Sequence, residues 1–440
     1  MSTFGRGNSD RLAEPSQIPA LIDHLFRVES GKLVAVLTRI FGPHQLELAE
    51  DVVQDTLLEA MQTWHYKGIP QNPGAWLYTV AKNKSLNILR RDHYRKKFDA
   101  DARHSAKTFS QELPDLDHFF SAEEIKDDLL RMMFVCCHPA ISPDSQVSLI
   151  LKTLCGFSIP EIAHAFLSTE ENIHKRLVRA RKKIREANLR FEMPGGDVLQ
   201  QRLDAVLQAI YLLFNEGYSA SSGDQLIRFE LCEEAIRLAE LLAGHPGIGN
   251  RSNVFALEAL MLFNTSRFHA RLDSLGKILS MAEQDRSLWN KSLIQKGIYY
   301  ISKIENPETI SVYHILAAIS CHHCSSPDFA STDWKSILEL YNNLILIDGS
   351  PVARLNRAIA LSRVQGAPAA LEELDKIKDD SFMASYYLFF ATQAELFLET
   401  GQLERALGSY ARAIELAPLR MEKELLEKKM SRFDASISGT

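Results

Sequence analysis

No stretch of the chain approaches the length and apolarity of a membrane-spanning helix. The first residues, MSTFGRGNSDRLAEPSQ, are polar and contain no apolar signal core. A cytoplasmic protein with no membrane partner is therefore expected. Six cysteines in 440 residues do not make a disulfide framework and should be reduced in that compartment. Cys136-Cys137-His138 and Cys321-His322-His323-Cys324 look like metal ligands. Consecutive residues on a helix point in different directions, however, and only Cys321 and Cys324 share a face, so small buried cysteines and no metal are expected. There is no Gly-rich phosphate loop, no HExxH and no GxSxG, which leaves no basis for a cofactor or an enzymatic centre. Apolar–polar alternation long enough for a sheet is missing too. What remains is helix.

Apolar positions recur at helical spacing in segment after segment, which predicts an all-α fold, and the length allows two to four domains. Apolar content of 46% and charged content of 24% are ordinary for a globular protein. The charge distribution is not ordinary. Residues 82–97 (KNKSLNILRRDHYRKK) carry seven Lys/Arg and one Asp, and residues 169–190 carry eight Lys/Arg and three Glu, in a chain whose total is −6. An acidic body with two basic strips is the footprint of selective nucleic-acid binding.

The second strip lies in FSIPEIAHAFLSTEENIHKRLVRARKKIR (157–185), which reads as two helices joined by a tight turn. Ser158 and Glu161 have capping-box spacing, Pro160 suits a first turn, and Ile162, Ala163 and Phe166 give an apolar face. Ser168 and Glu171 repeat the box and are expected to start the second helix. There Ile173, Leu177, Ala180 and Ile184 face a core, while Lys175, Arg179 and Lys182, flanked by Arg176 and Lys183, face outward. This is the pattern of a helix-turn-helix that enters a major groove. From Thr169 onward its N-terminal half (Glu170, Glu171, Asn172, Lys175, Arg176) should face base edges. Arg179, Lys182, Lys183 and Arg185 should hold phosphates.

The first strip follows a helix in which Ala49, Val52, Val53, Thr56, Leu57, Ala60, Met61 and Trp64 form one stripe. Glu50, Asp51, Gln54, Asp55 and Glu59 form or flank the other face, and Asp51, Gln54, Asp55 and Glu59 suit a basic or polar surface on a large protein. Pro70 and Pro73 close a loop before a helix with Trp76, Leu77, Val80, Ala81 and Ile88 inward. That helix mixes Lys82, Lys84, Arg90, Arg91 and Arg95, which can position a nucleic-acid backbone, with Asn83 and Asn87, which can pair with base edges. Trp76 reads better as core than as a stacking platform, and for Tyr78 both roles stay open.

Residues 97–122 lose periodicity and read as a linker, and Pro194-Gly195-Gly196 is the strongest break. Four segments follow: 18–97, a linker 98–122, 123–192, and a long helical region 197–440. In the last of these, Ala394, Phe397, Gly401, Ala406, Tyr410, Ala413 and Pro418 match the tetratricopeptide pattern, and Asn356 to Asp375 fits it loosely. Asn215-Glu216-Gly217-Tyr218 with Asp224 reads as a turn at a helix end.

Together, residues 18–190 resemble a bacterial sigma factor of the extracytoplasmic-function type. AEDVVQDTLLEAMQTW (49–64) is similar to the polymerase-binding helix of that family, and PGAWLYTVAKNKSLNILRRDHYRKK (73–97) to its minus-ten reader. The helix-turn-helix is similar to its minus-thirty-five reader. IYLLFNEGYSA (210–220), EQDRSLWN (283–290) and the terminal repeat resemble the subgroup with a long tetratricopeptide-like C-terminal extension. The resemblance implies two small sigma domains and a C-terminal helical domain. The partners it implies are core RNA polymerase and promoter DNA. It further implies regulation from within, by a C-terminal domain that acts in place of a membrane-bound anti-sigma partner and itself meets a regulatory partner or ligand. The competing reading is a helix-turn-helix regulator with a repeat-type sensor domain.

Overall fold

The apolar stripes become helices. A computed structural model describes residues 18–101, 116–166, 168–187, 189–219, 227–273, 278–305 and 309–437; of these, the side chains at 18–28, 94–101, 164–165, 230 and 432–437 are not described. Among the described residues there are eighteen α-helices and no strand, only an isolated bridge between Leu272 and Ile278. The all-α expectation holds. No helix among the described residues is long and apolar enough to cross a membrane.

The chain divides into two compact units, Met1–Ala209 and Ile210–Thr440. The first contains α1 (Ile18–Phe41), α2 (Leu46–Lys67), α3 (Pro73–Asp101), α4 (Ala122–Cys136), α5 (Pro143–Thr153), α6 (Ile159–Ala165) and α7 (Glu170–Glu186). The division falls inside α8 (Gly196–Tyr218), further along than the Pro194-Gly195-Gly196 break at which that helix begins. Helix α3 runs to Asp101, past the start of the expected linker, because Lys97 to Asp101 contains no Gly or Pro to stop it. Residues 102–115 of that linker lie outside the described residues.

Within the first unit α1 packs on both α2 and α4, and α7 packs on α5, α6 and the edge of α2. The passage of α1 over the end of α5 is tight. A Cβ on Gly31 would stand 2.0 Å from the Leu154 carbonyl oxygen, so only glycine allows the crossing.

The second unit contains α9 (Phe229–Gly244), α10 (Ser252–Thr265), α11 (Lys291–Ser302), α12 (Val312–Ser325), α13 (Trp334–Ile347), α14 (Pro351–Gln365), α15 (Ala367–Asp375), α16 (Tyr387–Glu399), α17 (Leu403–Leu416) and α18 (Arg420–Ile437). Helix α12 packs chiefly on α10, and from α13 onward each helix packs chiefly on its sequence neighbours. Three core clusters follow one another along the chain, around Ile337, around Leu374 and around Tyr410. Gly401, at φ +74°, turns α16 into α17, where Ala394, Phe397, Ala406, Tyr410 and Ala413 are all buried. A connection this short makes α16 and α17 antiparallel neighbours, and the alanines let them approach.

Candidate polymerase and nucleic-acid interfaces

On α2 the stripe Ala49, Val52, Val53, Thr56, Leu57, Ala60 and Trp64 is buried, as expected. Met61 is a correction, because it lies on the exposed face. It stands there with Leu58, 56% exposed, and Tyr66, 86% exposed, so the outer face is acidic at its start and apolar further on. Asp51, Gln54 and Asp55 are exposed, and neither aspartate has a partner among the described residues. Glu59 is half-buried and pairs with Lys84 of α3 at 2.9 Å. Leu58 and Tyr66 are additions to the face expected from the sequence. Their signal was present, since Leu58 is an apolar residue out of phase with the stripe.

On α3 Leu77, Ala81 and Ser85 face inward, and Trp76 is half-buried, edge-on to Trp64 with ring centres 5.3 Å apart. Asn83, Asn87, Arg90 and Arg91 are exposed, and the first three share one face at helical spacing. Lys82 forms an ion pair with Asp117. The side chain of Arg95 lies outside the described residues. The Tyr78 hydroxyl donates to Glu29, and its ring centre lies 6.2 Å from that of Phe120.

The helix-turn-helix is built from two caps. At the first, Ser158 and Glu161 bond reciprocally: the Ser158 amide donates to the Glu161 carboxylate at 2.7 Å, and the Ser158 Oγ accepts from the Glu161 amide at 3.4 Å. The second cap differs from the expected one. Thr169, not Ser168, caps α7 by accepting from the Asn172 amide at 3.3 Å, and Glu171 pairs with Lys175 at 2.6 Å. Threonine wins because it has the extended backbone of a cap residue, φ −91° and ψ 152°, directly before Glu170. Ile173, Leu177, Ala180 and Ile184 are buried. Thr169, Glu170, Asn172, Lys175, Arg179, Lys182 and Lys183 are exposed. Arg176 is tied down by Asp144 at 3.3 Å and lies over the Phe166 ring. Lys182 reaches Glu186 at 3.7 Å, while Arg179 and Lys183 have no carboxylate within ion-pair distance among the described residues.

The segments 18–97 and 123–192 meet within this unit. Glu50, grouped by sequence with the outer face of α2, accepts instead from Arg181 of α7 at 3.1 and 3.2 Å and from Thr153 at 3.0 Å. One turn earlier Glu47 pairs with Arg185 at 2.8 Å. On the other side Arg39 of α1 pairs with Glu124 and, at 3.3 Å, with Asp128 of α4; Arg131 holds the same Asp128 at 2.6 Å. Burial raises the Asp128 carboxyl above its ordinary range, opposed by the two guanidinia.

In the second unit Asn215 to Tyr218 form the last turn of α8, and Asp224 lies outside the described residues. Glu216 is buried against Arg228 at 3.2 Å. Cys136, Cys137, Cys155 and Cys232 are buried, but Cys321 and Cys324 are half-buried, which corrects the expectation for that pair. No three potential metal ligands gather among the described residues.

Residues 25–95 match the sigma-70 region 2 model, and residues 202–305 match a family of unknown function, DUF6596. An uncharacterized protein of Rhizobium meliloti (strain 1021) is 33% identical over 410 residues, which covers 91% of this chain and 93% of that one. No solved structure matches. The region 2 match covers the whole of α2 and most of α3, the helices that carry the acidic–apolar face and the asparagine–arginine face. The chain belongs to the sigma-70 family of transcription initiation factors, with a distinct C-terminal extension.

Proposed function

We propose that this chain is a sigma factor of the extracytoplasmic-function type. In this reading 18–97 binds core polymerase and the minus-ten element, 98–122 links, 123–192 reads the minus-thirty-five element, and 197–440 is a tetratricopeptide-like regulatory domain in a cytoplasmic protein. The observation that carries it is the pair of neighbouring helices in one unit. Helix α2 offers Asp51, Gln54 and Asp55, continued by Leu58 and Met61, to a protein partner, while α3 offers Asn83, Asn87 and Arg90 to nucleic acid. A regulator that only recruits polymerase needs the helix-turn-helix but not this second face. The succession of core clusters from α12 to α18, each shared between adjacent helices, supports the repeat reading of the extension.

Reading both promoter elements at once requires the ion pairs between α2 and α7 to part. Elements 25 base pairs apart are separated by roughly 85 Å at 3.4 Å per pair. The residues between α3 and α4, 102–121, reach roughly 68 Å when drawn out at about 3.4 Å per residue, and the two helical domains span the remainder. The pairs Glu47–Arg185 and Glu50–Arg181 join side chains of a kind that exchange partners at low cost, so polymerase and DNA can replace them. The test is co-purification with core polymerase. Stoichiometric recovery in a salt-resistant complex is expected, and a chain that binds duplex DNA but never core polymerase would be the regulator instead.

A further inference from the structure

The second unit contains a cavity of about 530 Å³, within the usual range for small-molecule sites. Phe329 and Trp334, ring centres 5.1 Å apart, give it an aromatic wall. Tyr341, Asn356 and Thr392, from three different helices, also line it, and their side chains have no hydrogen-bond partner among the described residues. At the rim, Arg363 pairs with Glu399 at 3.3 Å and Lys429 with Glu395 at 2.6 Å, so those charges cancel.

The charges behind the wall do not cancel. Tyr218 and Trp289, from the two segments 210–220 and 283–290, lie in one cluster with three arginines. Arg271 and Arg267 lie over the Tyr218 ring at 3.9 and 5.9 Å, and Arg267 and Arg286 over the Trp289 ring at 5.8 and 4.8 Å. Arg267 is only 8% exposed. Its Nη2 donates to the Tyr218 hydroxyl at 2.8 Å and to the Asn264 Oδ1 at 2.6 Å, but among the described residues its Nη1 has only the Met281 sulfur, at 3.7 Å. Arg286 donates to the carbonyl oxygens of His323 and Ser326 and to Thr332. None of the three arginines has a carboxylate within ion-pair distance among the described residues; Asp328 acts on Arg286 from farther off. A guanidinium stays charged when buried, and buried charge without a counter-charge is costly.

Met281 and His323 both line the cavity, and so connect it to these charges. Burial first, then Arg267 and Arg286, pull the His323 pKa down to about 4, which shows that the positive field reaches the wall. Methionine is flexible and its sulfur is a weak acceptor, so it is a poor terminal partner for a buried guanidinium and one easily displaced.

We propose that this cavity binds a small organic carboxylate. Its apolar or aromatic body lies against Trp334 and Phe329, its remaining polar groups meet Tyr341, Asn356 and Thr392, and its carboxylate displaces the Met281 sulfur from Arg267. The proposal names a ligand class for the regulatory role of the C-terminal region and rests on that reading for its consequence, though not for its binding.

The test uses the full-length chain and isothermal titration with 2-naphthoate and its neutral analogue 2-naphthamide. One-to-one binding is expected, with the acid at least about tenfold tighter than the amide, the range for a hydrogen bond to a charged group. Arg267→Gln should equalise the two ligands, a comparison made within one protein and therefore insensitive to its stability. Thr392→Trp fills the cavity and should abolish binding of both while the helical signal is kept. Equal affinity of acid and amide for the parent chain would overturn the proposal, as would no saturable binding of 2-naphthoate or unchanged binding to Thr392→Trp. Binding of 2-naphthoate without any effect on polymerase-directed transcription would overturn the regulatory reading and leave the site standing.

Discussion

Two groups of arginines withdrawn from solvent, one in each unit, keep different company. In the first, Arg39, Arg131 and Arg181 each rest on a carboxylate, and Arg39 and Arg181 reach across from one sequence segment to another. In the second, Arg267, Arg271 and Arg286 rest on Tyr218, Trp289, carbonyl oxygens and a sulfur. Matched pairs of this kind are worth little individually when partly exposed, so a surface closed by them can be reopened by a competing partner. A buried guanidinium held only by neutral partners leaves a place for an anion brought in, which is the basis of the proposed carboxylate site.

The contrast is sharpest at the exposed carboxylates. Asp51 directly follows Glu50 and Asp55 lies one turn further along, yet neither has a partner among the described residues of the kind that Glu47 and Glu50 have. Asp51→Lys with Asp55→Lys should reduce core polymerase binding by at least about a hundredfold, through like-charge juxtaposition at the interface. The helical content should not change. Pull-down at parental levels would remove this face as the polymerase-binding surface.

A second buried group in the second unit has no partner among the described residues. Glu258 of α10 is 0% exposed with both carboxylate oxygens unbonded, and burial raises its pKa from 4.5 to about 8. The folded state therefore holds a proton that the unfolded chain gives up near pH 4.5. The associated stability is complete below that value and is lost as the pH rises through about 8. Glu258→Gln should abolish this loss, a difference of several kcal/mol above pH 8 at about 1.4 kcal/mol per pKa unit. Thermal melts at pH 5.5 and pH 8.5 would check it, and parallel shifts in parent and variant would count against it.

Smaller effects are expected from opening the first unit. Glu47→Lys with Glu50→Lys should speed amide hydrogen exchange in α7 and along the start of α2, at a stability cost of about 1–2 kcal/mol. Unchanged exchange would mean that packing around Gly31 and Asp128, not these pairs, holds the segments together. The smallest change is in salt dependence. Arg179→Ala and Lys182→Ala should each weaken duplex binding about equally across sequences and lower the log–log salt slope by about one for each phosphate no longer neutralised. A double variant with the parental slope would take these two residues out of the interface.

The helical fold was legible because one physical signal, apolar residues at helical spacing, repeats throughout. The faces of α2 and α7 were legible for the same reason, since four buried residues on α7 determine where its cations point. Three kinds of feature were not legible. Thr169 and Ser168 are adjacent residues of equal capping chemistry, and only backbone conformation separates them. Met61 fits the α2 stripe by spacing but lies at its margin, where a few degrees decide burial. Glu50 reads as solvent-facing because its partner, Arg181, is 131 residues away in sequence. The arginine cluster of the second unit is of the same long-range kind. Its rings lie in two segments that stand out in the sequence, but nothing in either segment indicates that Arg267 stands between them.

The central claim, that this chain starts transcription as part of the polymerase, is tested most directly by transcription in vitro. Core polymerase with sheared genomic DNA, with and without the full chain, is followed by mapping of RNA 5′ ends. The account predicts discrete 5′ ends that appear only when the chain is present and share sequence at both the minus-ten and minus-thirty-five positions. Discrete ends that require another sigma factor, with this chain only changing their abundance, would contradict it.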